Sequence, residues 1–95
     1  MARYALDIKS PAAAVIRHLP PEVKRAVKAA IRALVANPVA GEPLRGELEG
    51  RFKFRVRRYR IIYGLDRARR IVNVLAVGHR RSVYEDIAER SRERE

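Results

Sequence analysis

The sequence has no cysteine, which excludes disulfides, thiolate metal sites and a cysteine nucleophile but leaves the redox compartment open. It has no apolar run approaching the roughly 18 residues of a membrane span. Met1-Ala2-Arg3-Tyr4 carries no apolar region of the signal-peptide kind, so the expected location is the cytoplasm. No histidine or carboxylate cluster shows ligand spacing, and no metal or cofactor is expected. No glycine-rich loop links a strand to a helix to cradle a phosphate, and no Ser-His-Asp arrangement is visible. Acids are scarce, 11 Asp plus Glu against 22 Lys plus Arg, giving a net charge of +11. Lysine is scarce too. Lys9, Lys24, Lys28 and Lys53 are the only ones, and the other 18 cations are arginines, whose planar forks bind phosphate bidentately and stack on bases.

What is present fits one domain. A chain of 95 residues buries roughly 60–70% of its unfolded surface, enough for one core. With 47% hydrophobic and 35% charged residues it is not a disordered chain. The cationic excess points to a polyanionic partner.

Residues 3–8 place Tyr4, Leu6 and Ile8 at period two, which predicts a short strand. Ser10-Pro11 then reads as an N-cap with proline at the first helical position, opening a helix from Ala12 to Leu19. His18 is expected to serve that helix's C-terminal dipole. Pro20-Pro21 breaks the chain, and residues 21–36 carry one apolar stripe through Val23, Ala26, Val27, Ala30, Ile31, Leu34 and Val35. Together these predict a helical hairpin. Its apolar stripe has small side chains committed to the core, which speaks against a membrane-surface role. Residues 37–50 read as a loop pinned by Leu44 and Leu48, with Val39 as a further apolar residue.

Three strands follow. From Phe52 to Arg57 alternation is strict, with Phe52, Phe54 and Val56 on one side and Lys53, Arg55 and Arg57 on the other. Tyr59 to Leu65 is the next strand, Asp66 to Arg70 the turn, and the apolar Ile71 to Val77 a strand covered on both faces or central in the sheet. Short connections predict antiparallel hairpins. A polar helix from Ser82 to Arg90 and a frayed charged tail, Ser91 to Glu95, complete an order of β-α-α-β-β-β-α. The expected fold is α+β, with the helical hairpin on one face of a small antiparallel sheet.

Residues 51–60 hold six cations (Arg51, Lys53, Arg55, Arg57, Arg58 and Arg60) and no acid. Like charges on adjacent positions repel, so the cluster costs stability unless a polyanion binds it. Arg60 should share the face of Lys53 and Arg55. Arg80, Arg81 and Tyr84 follow the last strand and can border the same patch.

Ser10-Pro11, Leu19-Pro20-Pro21, Asn37-Pro38, Pro43-Leu44-Arg45-Gly46, Tyr59-Arg60-Ile61-Ile62-Tyr63 and Val77-Gly78-His79-Arg80-Arg81 with Val83-Tyr84 occur in a familiar order and spacing. Over about residues 3–88 the chain resembles the RelE/ParE superfamily of type II toxins, most of all its RelE-like ribonuclease branch. The resemblance implies a single RelE-like toxin domain over residues 1–95 that cleaves mRNA in the ribosomal 30S A site without metal, by 2′-OH attack on the adjacent phosphate. It implies a cognate RelB-like antitoxin as partner, acidic where it meets the patch, with the complex binding operator DNA through the antitoxin.

Matched position by position, the resemblance makes Lys53 the base, a role a lysine can take where neighbouring cations lower its proton affinity. Arg60 and Arg80 become the phosphate stabilisers, Arg80 alternatively protonating the leaving group, and Tyr84 the residue that stacks on the substrate base. Arg51, Arg55, Arg57, Arg58 and Arg81 are the expected RNA contacts. Arg80 and Tyr84 stand closer together than in the best-known relative, and Arg81 could replace Arg80 in a shifted register. A second branch places a glutamate before the strand and a histidine near the C-terminus, which makes Glu42 and His79 an alternative acid–base pair. A ParE-like inhibitor of DNA gyrase, or a decayed relative that binds RNA without cutting it, remains open.

Overall fold

The computed structural model describes residues 4–84. Its elements are β1 (Ala5–Ile8), α1 (Ser10–Arg17), α2 (Pro21–Ala36), β2 (Glu42–Pro43), a 3-10 turn (Gly46–Leu48), β3 (Arg51–Val56), β4 (Tyr59–Asp66) and β5 (Ile71–His79). Residues 82–84 are helical. They open the helix expected from Ser82 to Arg90, whose remainder lies outside the described residues, as does the 91–95 tail. The strands form one sheet in the order β1-β5-β4-β3-β2.

The helical hairpin covers one face of the sheet, as the periodicity predicts. Val27, Ile31 and Leu34 of α2 and Ala12 and Ile16 of α1 are buried with Val56, Ile61, Tyr63, Val72, Val74 and Val77 of the sheet. Each aliphatic side chain of Val, Leu or Ile size so buried contributes about 1.5–3 kcal/mol. α2 spans the expected residues, and Lys24 at its start donates from Nζ to the Arg17 carbonyl at 2.9 Å, closing the end of α1. His18 donates from Nδ1 to the Ala14 carbonyl at 3.1 Å, the C-terminal role expected of it.

The sheet is mixed. β3, β4 and β5 are antiparallel hairpins, but β1 lies parallel to β5 with Leu6 opposite Val72 and Ile8 opposite Val74. The chain between them, the helical hairpin followed by β2, β3 and β4, is long enough for such a crossover. The handover is direct: the Lys9 N–H donates to the Val74 carbonyl while the Lys9 carbonyl accepts the first helical bond from Ala13. Lys9 is therefore the N-cap, and the helix begins at Ser10 with no side-chain cap. The expectation of Ser10 as cap misses by one residue because the strand's last ladder bond fixes where the helix starts.

β5 serves both faces through a bulge. Ile62 stands opposite Ala76 and Tyr63 opposite Val74, leaving Leu75 as an extra residue. Val72, Val74 and Val77 thus meet the helices, while Leu75 and Ala76 meet a second small cluster with Leu48, Ile62 and Val83.

The 37–50 segment is pinned differently from expectation. Leu48 is buried and Leu44 half-buried, but Val39 is 59% exposed. The main anchor is Tyr63, whose hydroxyl donates to the Pro38 carbonyl at 2.8 Å and accepts from the Gly41 N–H at 2.9 Å. Burial raises the Tyr63 phenol above its ordinary value, partly offset by the bond from Gly41. Two residues of this segment add β2 at the sheet edge, where Pro43 is tolerated.

Candidate nucleic-acid interface

The face of the sheet away from α1 and α2 carries the candidate site. Alternation on β3 sends Arg51, Lys53 and Arg55 to it, at steps of about 6.6–6.8 Å along the strand. Lys53 stands opposite Ile62 on β4 and opposite Glu42 on β2. Its Nζ lies 3.7 Å from Glu42 Oε2, with the carboxylate side chain 79% exposed. A pair this open to solvent contributes at most about 1 kcal/mol, so both groups remain accessible to a ligand.

Arg55 and Arg60 stand directly opposite one another. Like charges in this position destabilise a sheet. Arg55 is exposed and has no side-chain partner among the described residues. Arg60 is half-buried and turned back, its Nη1 donating to the Tyr59 carbonyl at 2.9 Å and the Arg57 carbonyl at 3.2 Å. Those bonds orient the guanidinium and leave Nη2 and Nε for an anion.

The β3–β4 turn consists of Arg57 and Arg58. Arg57 does not continue the alternation as expected. It adopts φ 56°, a left-handed conformation uncommon outside glycine, because Val56 and Tyr59 close the hairpin around two residues. The Arg80 N–H donates to the Arg58 carbonyl at 2.9 Å, tying the chain that leaves β5 to this turn. Arg57, Arg58, Arg60, Arg80 and Arg81 therefore collect at one corner of the sheet.

Gly78, opposite Arg60, lets the following segment fold back over this face. A Cβ there would stand 3.2 Å from the Val83 Cβ. Val83 is buried in the second cluster and Tyr84 packs half-buried against it. Since that cluster includes Ile62, the cross-strand neighbour of Lys53, Tyr84 borders the lysine's part of the face. Glu42 and His79 are not brought together. His79 stands opposite Tyr59, its ring edge-on at 6.1 Å, on the helix side of the sheet, whereas Glu42 shares the face of Lys53. The structure thus gathers the cations into a track running from Arg51 to the arginine corner. Asn73 and Gly64, on the same face, were not singled out by sequence reasoning. Their signals were a polar residue within an apolar strand and a glycine in a strand interior.

The family model of the ParE toxin of type II toxin–antitoxin systems, parDE, matches residues 7–84. The chain is 35% identical over 83 residues to toxin RelG of Mycobacterium tuberculosis, covering 85% of this chain and 95% of RelG. A chain of the M. tuberculosis toxin–antitoxin complex RelBE2 has the same fold with a TM-score of 0.76 and 33% identity, over 83% of this chain and 100% of that one. A double arginine-to-alanine variant of the Escherichia coli toxin RelE, in the free state, gives a TM-score of 0.77 and 26% identity, over 94% of this chain and 98% of that one. This chain belongs to the ParE toxin family and is a type II toxin of the RelE/ParE superfamily.

Proposed function

We propose that this toxin is a ribosome-dependent endoribonuclease that cuts mRNA in the 30S A site and so stops translation in the cytoplasm. The observation that carries the reading is the pairing of Arg55 with Arg60 on a face that also holds Lys53 and Tyr84. Two arginines placed opposite each other cost the fold stability, and a polynucleotide reverses the sign of that interaction.

In the proposed reaction the 2′-oxygen attacks the neighbouring phosphorus. The O2′–P bond forms, the P–O5′ bond breaks, and the products are a 2′,3′-cyclic phosphate and a 5′-hydroxyl. Lys53, acting as the neutral amine, takes the 2′ proton and becomes the ammonium. Glu42, whose Oε2 lies 3.7 Å from the Lys53 Nζ, is the alternative acceptor. Arg60, oriented by the turn carbonyls, meets the non-bridging oxygens as charge develops on them, and Arg80 meets the same oxygens or protonates the leaving O5′. Tyr84 stacks on a base splayed from its neighbours. Arg51, Arg55, Arg57, Arg58 and Arg81 hold the backbone.

The partner that silences it is a RelB-like antitoxin with an acidic segment over the cationic track. The M. tuberculosis relative's occurrence in a toxin–antitoxin complex supports this assignment. Operator DNA is bound through the antitoxin's own part of the complex.

The test is primer extension on mRNA held in programmed ribosomes, with EDTA present. Wild type should cut in the A site, and the Arg60→Ala/Arg80→Ala variant should not. Absence of cutting by wild-type protein on competent ribosomes would overturn the reading. It would direct attention to the ParE-like alternative, which a gyrase supercoiling assay measures directly.

A further inference from the structure

The cationic face has a second feature at the end of the sheet away from the arginine corner. Asn73 is the one polar residue between Ile71 and Val77. It stands between Gly64 on β4 and Asp7 on β1, and Gly64 in turn stands opposite Arg51 on β3. Arg51, Gly64, Asn73 and Leu75, with Lys9 and Glu49, line an open groove of about 360 Å³.

Folding accounts for none of the three central residues. The Asn73 carboxamide and the Arg51 guanidinium have no side-chain partner among the described residues, although both are half-buried. Lys9 is engaged by Asp7 at 2.7 Å, which leaves Arg51 as the uncommitted cation beside the carboxamide. Glycine inside a strand weakens it. Yet Gly64 has no positive φ, and a Cβ there would meet only Leu75 Cδ1, at an ordinary 3.8 Å. The described protein has room for a side chain at this position and carries none.

We infer that this groove is a nucleotide subsite on single-stranded RNA, in which Asn73 reads a base edge. The inference rests on the RNA function proposed above. Arg51, Lys53 and Arg55 recur at about 6.6–6.8 Å, a step that an extended single strand can follow with one phosphate per cation. A strand anchored at Arg55 and Arg60 therefore brings its second phosphate along to Arg51. The attached base falls over Gly64, where the missing side chain and Leu75 leave a flat floor. A carboxamide presents a donor and an acceptor side by side, the pattern that pairs with a base edge and suits adenine best. The volume lies at the lower end of the range for small-ligand sites.

The probe is a set of short RNAs with 2′-O-methyl sugars, which cannot be cleaved, each differing at one base and measured by fluorescence anisotropy. Wild type should prefer one base at one position by roughly tenfold. Asn73→Ala and Gly64→Val should each erase that preference, and the valine variant should melt no lower than wild type. Arg60→Ala should weaken every RNA alike and keep the preference. RNA binding whose base preference survives both groove substitutions, or that shows no preference in wild type, would overturn the subsite and leave the RNA function standing. No RNA binding by wild type would overturn both.

Discussion

The two faces of the sheet differ in kind. Against the helices, Val56, Ile61, Tyr63, Val72, Val74 and Val77 are all buried, and no charged side chain among the described residues is buried with them. On the other face only Ile62 and Ala76 of the strands are buried, under Leu48 and Val83. The rest of that face includes arginine opposite arginine, a strand-interior glycine and a carboxamide with no partner among the described residues. The first face holds the fold together, and the second gives stability up at positions a polyanion can use. Substitutions on the two faces should therefore separate folding from activity.

The largest effect is expected on the helix face. Leu34 has no exposed surface, and Leu34→Ala should lower unfolding free energy by about 2–5 kcal/mol in urea titration, while each folded molecule keeps its activity. Arg60→Ala should do the opposite, reducing single-turnover cleavage by about 10²–10³ while stability changes by no more than about 1 kcal/mol. Equal loss of both properties in either variant would break the division between faces.

Gly41→Ala tests where the two meet. An added Cβ would stand 2.6 Å from the Tyr63 hydroxyl and 2.7 Å from the Lys53 carbonyl. Overpacking of this kind should cost about 1–3 kcal/mol. Combining it with Tyr63→Phe should cost less than the sum of the two, a coupling that a double-mutant cycle measures.

Arg55→Thr should move stability and function in opposite directions. Relief of the cross-strand repulsion should raise stability by about 0.2–1 kcal/mol. Loss of the phosphate contact proposed for Arg55 should weaken RNA binding and flatten its log–log salt dependence by roughly 0.7.

The smallest effect is in alkali. The folded Tyr63 phenol titrates above its unfolded value of about 10. The folded state then holds its proton to higher pH than the unfolded state does. Stability from this group is complete below pH 10 and falls as pH rises through the folded value. The wild-type minus Tyr63→Phe difference in stability should be flat from pH 7 to 9 and decline above 10. A difference that rises instead would contradict the burial of this hydroxyl.

Much of this was legible in sequence. The stripe from Val23 to Val35 identifies α2, because seven apolar residues at helical spacing have one way to be buried together. Alternation from Phe52 to Val56 separates the faces of β3 in the same way. Other features were hidden because they depend on distant partners. Nothing in Ala5–Ile8 says that it lies parallel to β5, and nothing in Ile71–Val77 announces the bulge at Leu75. Strict alternation extended Arg57 into the strand, whereas the closing pair of Val56 and Tyr59 makes it a turn residue. Val39 resembled an anchor by hydropathy, but the 37–50 segment is held by the Tyr63 hydroxyl, more than 20 residues away in sequence. Glu42 and His79 are plausible together on paper, and the sheet itself stands between them.

The amino-acid sequence by itself determined the helical hairpin, the polarity of each strand face and the concentration of cations in residues 51–60. These follow from local periodicity, which each segment carries in its own residues. Only the tertiary structure decided which cations meet. Arg55 faces Arg60 because a two-residue turn sets the register of β3 on β4. Arg80 joins that corner because its N–H finds the Arg58 carbonyl. Asn73, Gly64 and Arg51 form one groove because β5, β4 and β3 pair in order. Register comes from hydrogen bonds and packing between segments far apart in the chain, and the chemistry of this face depends on register.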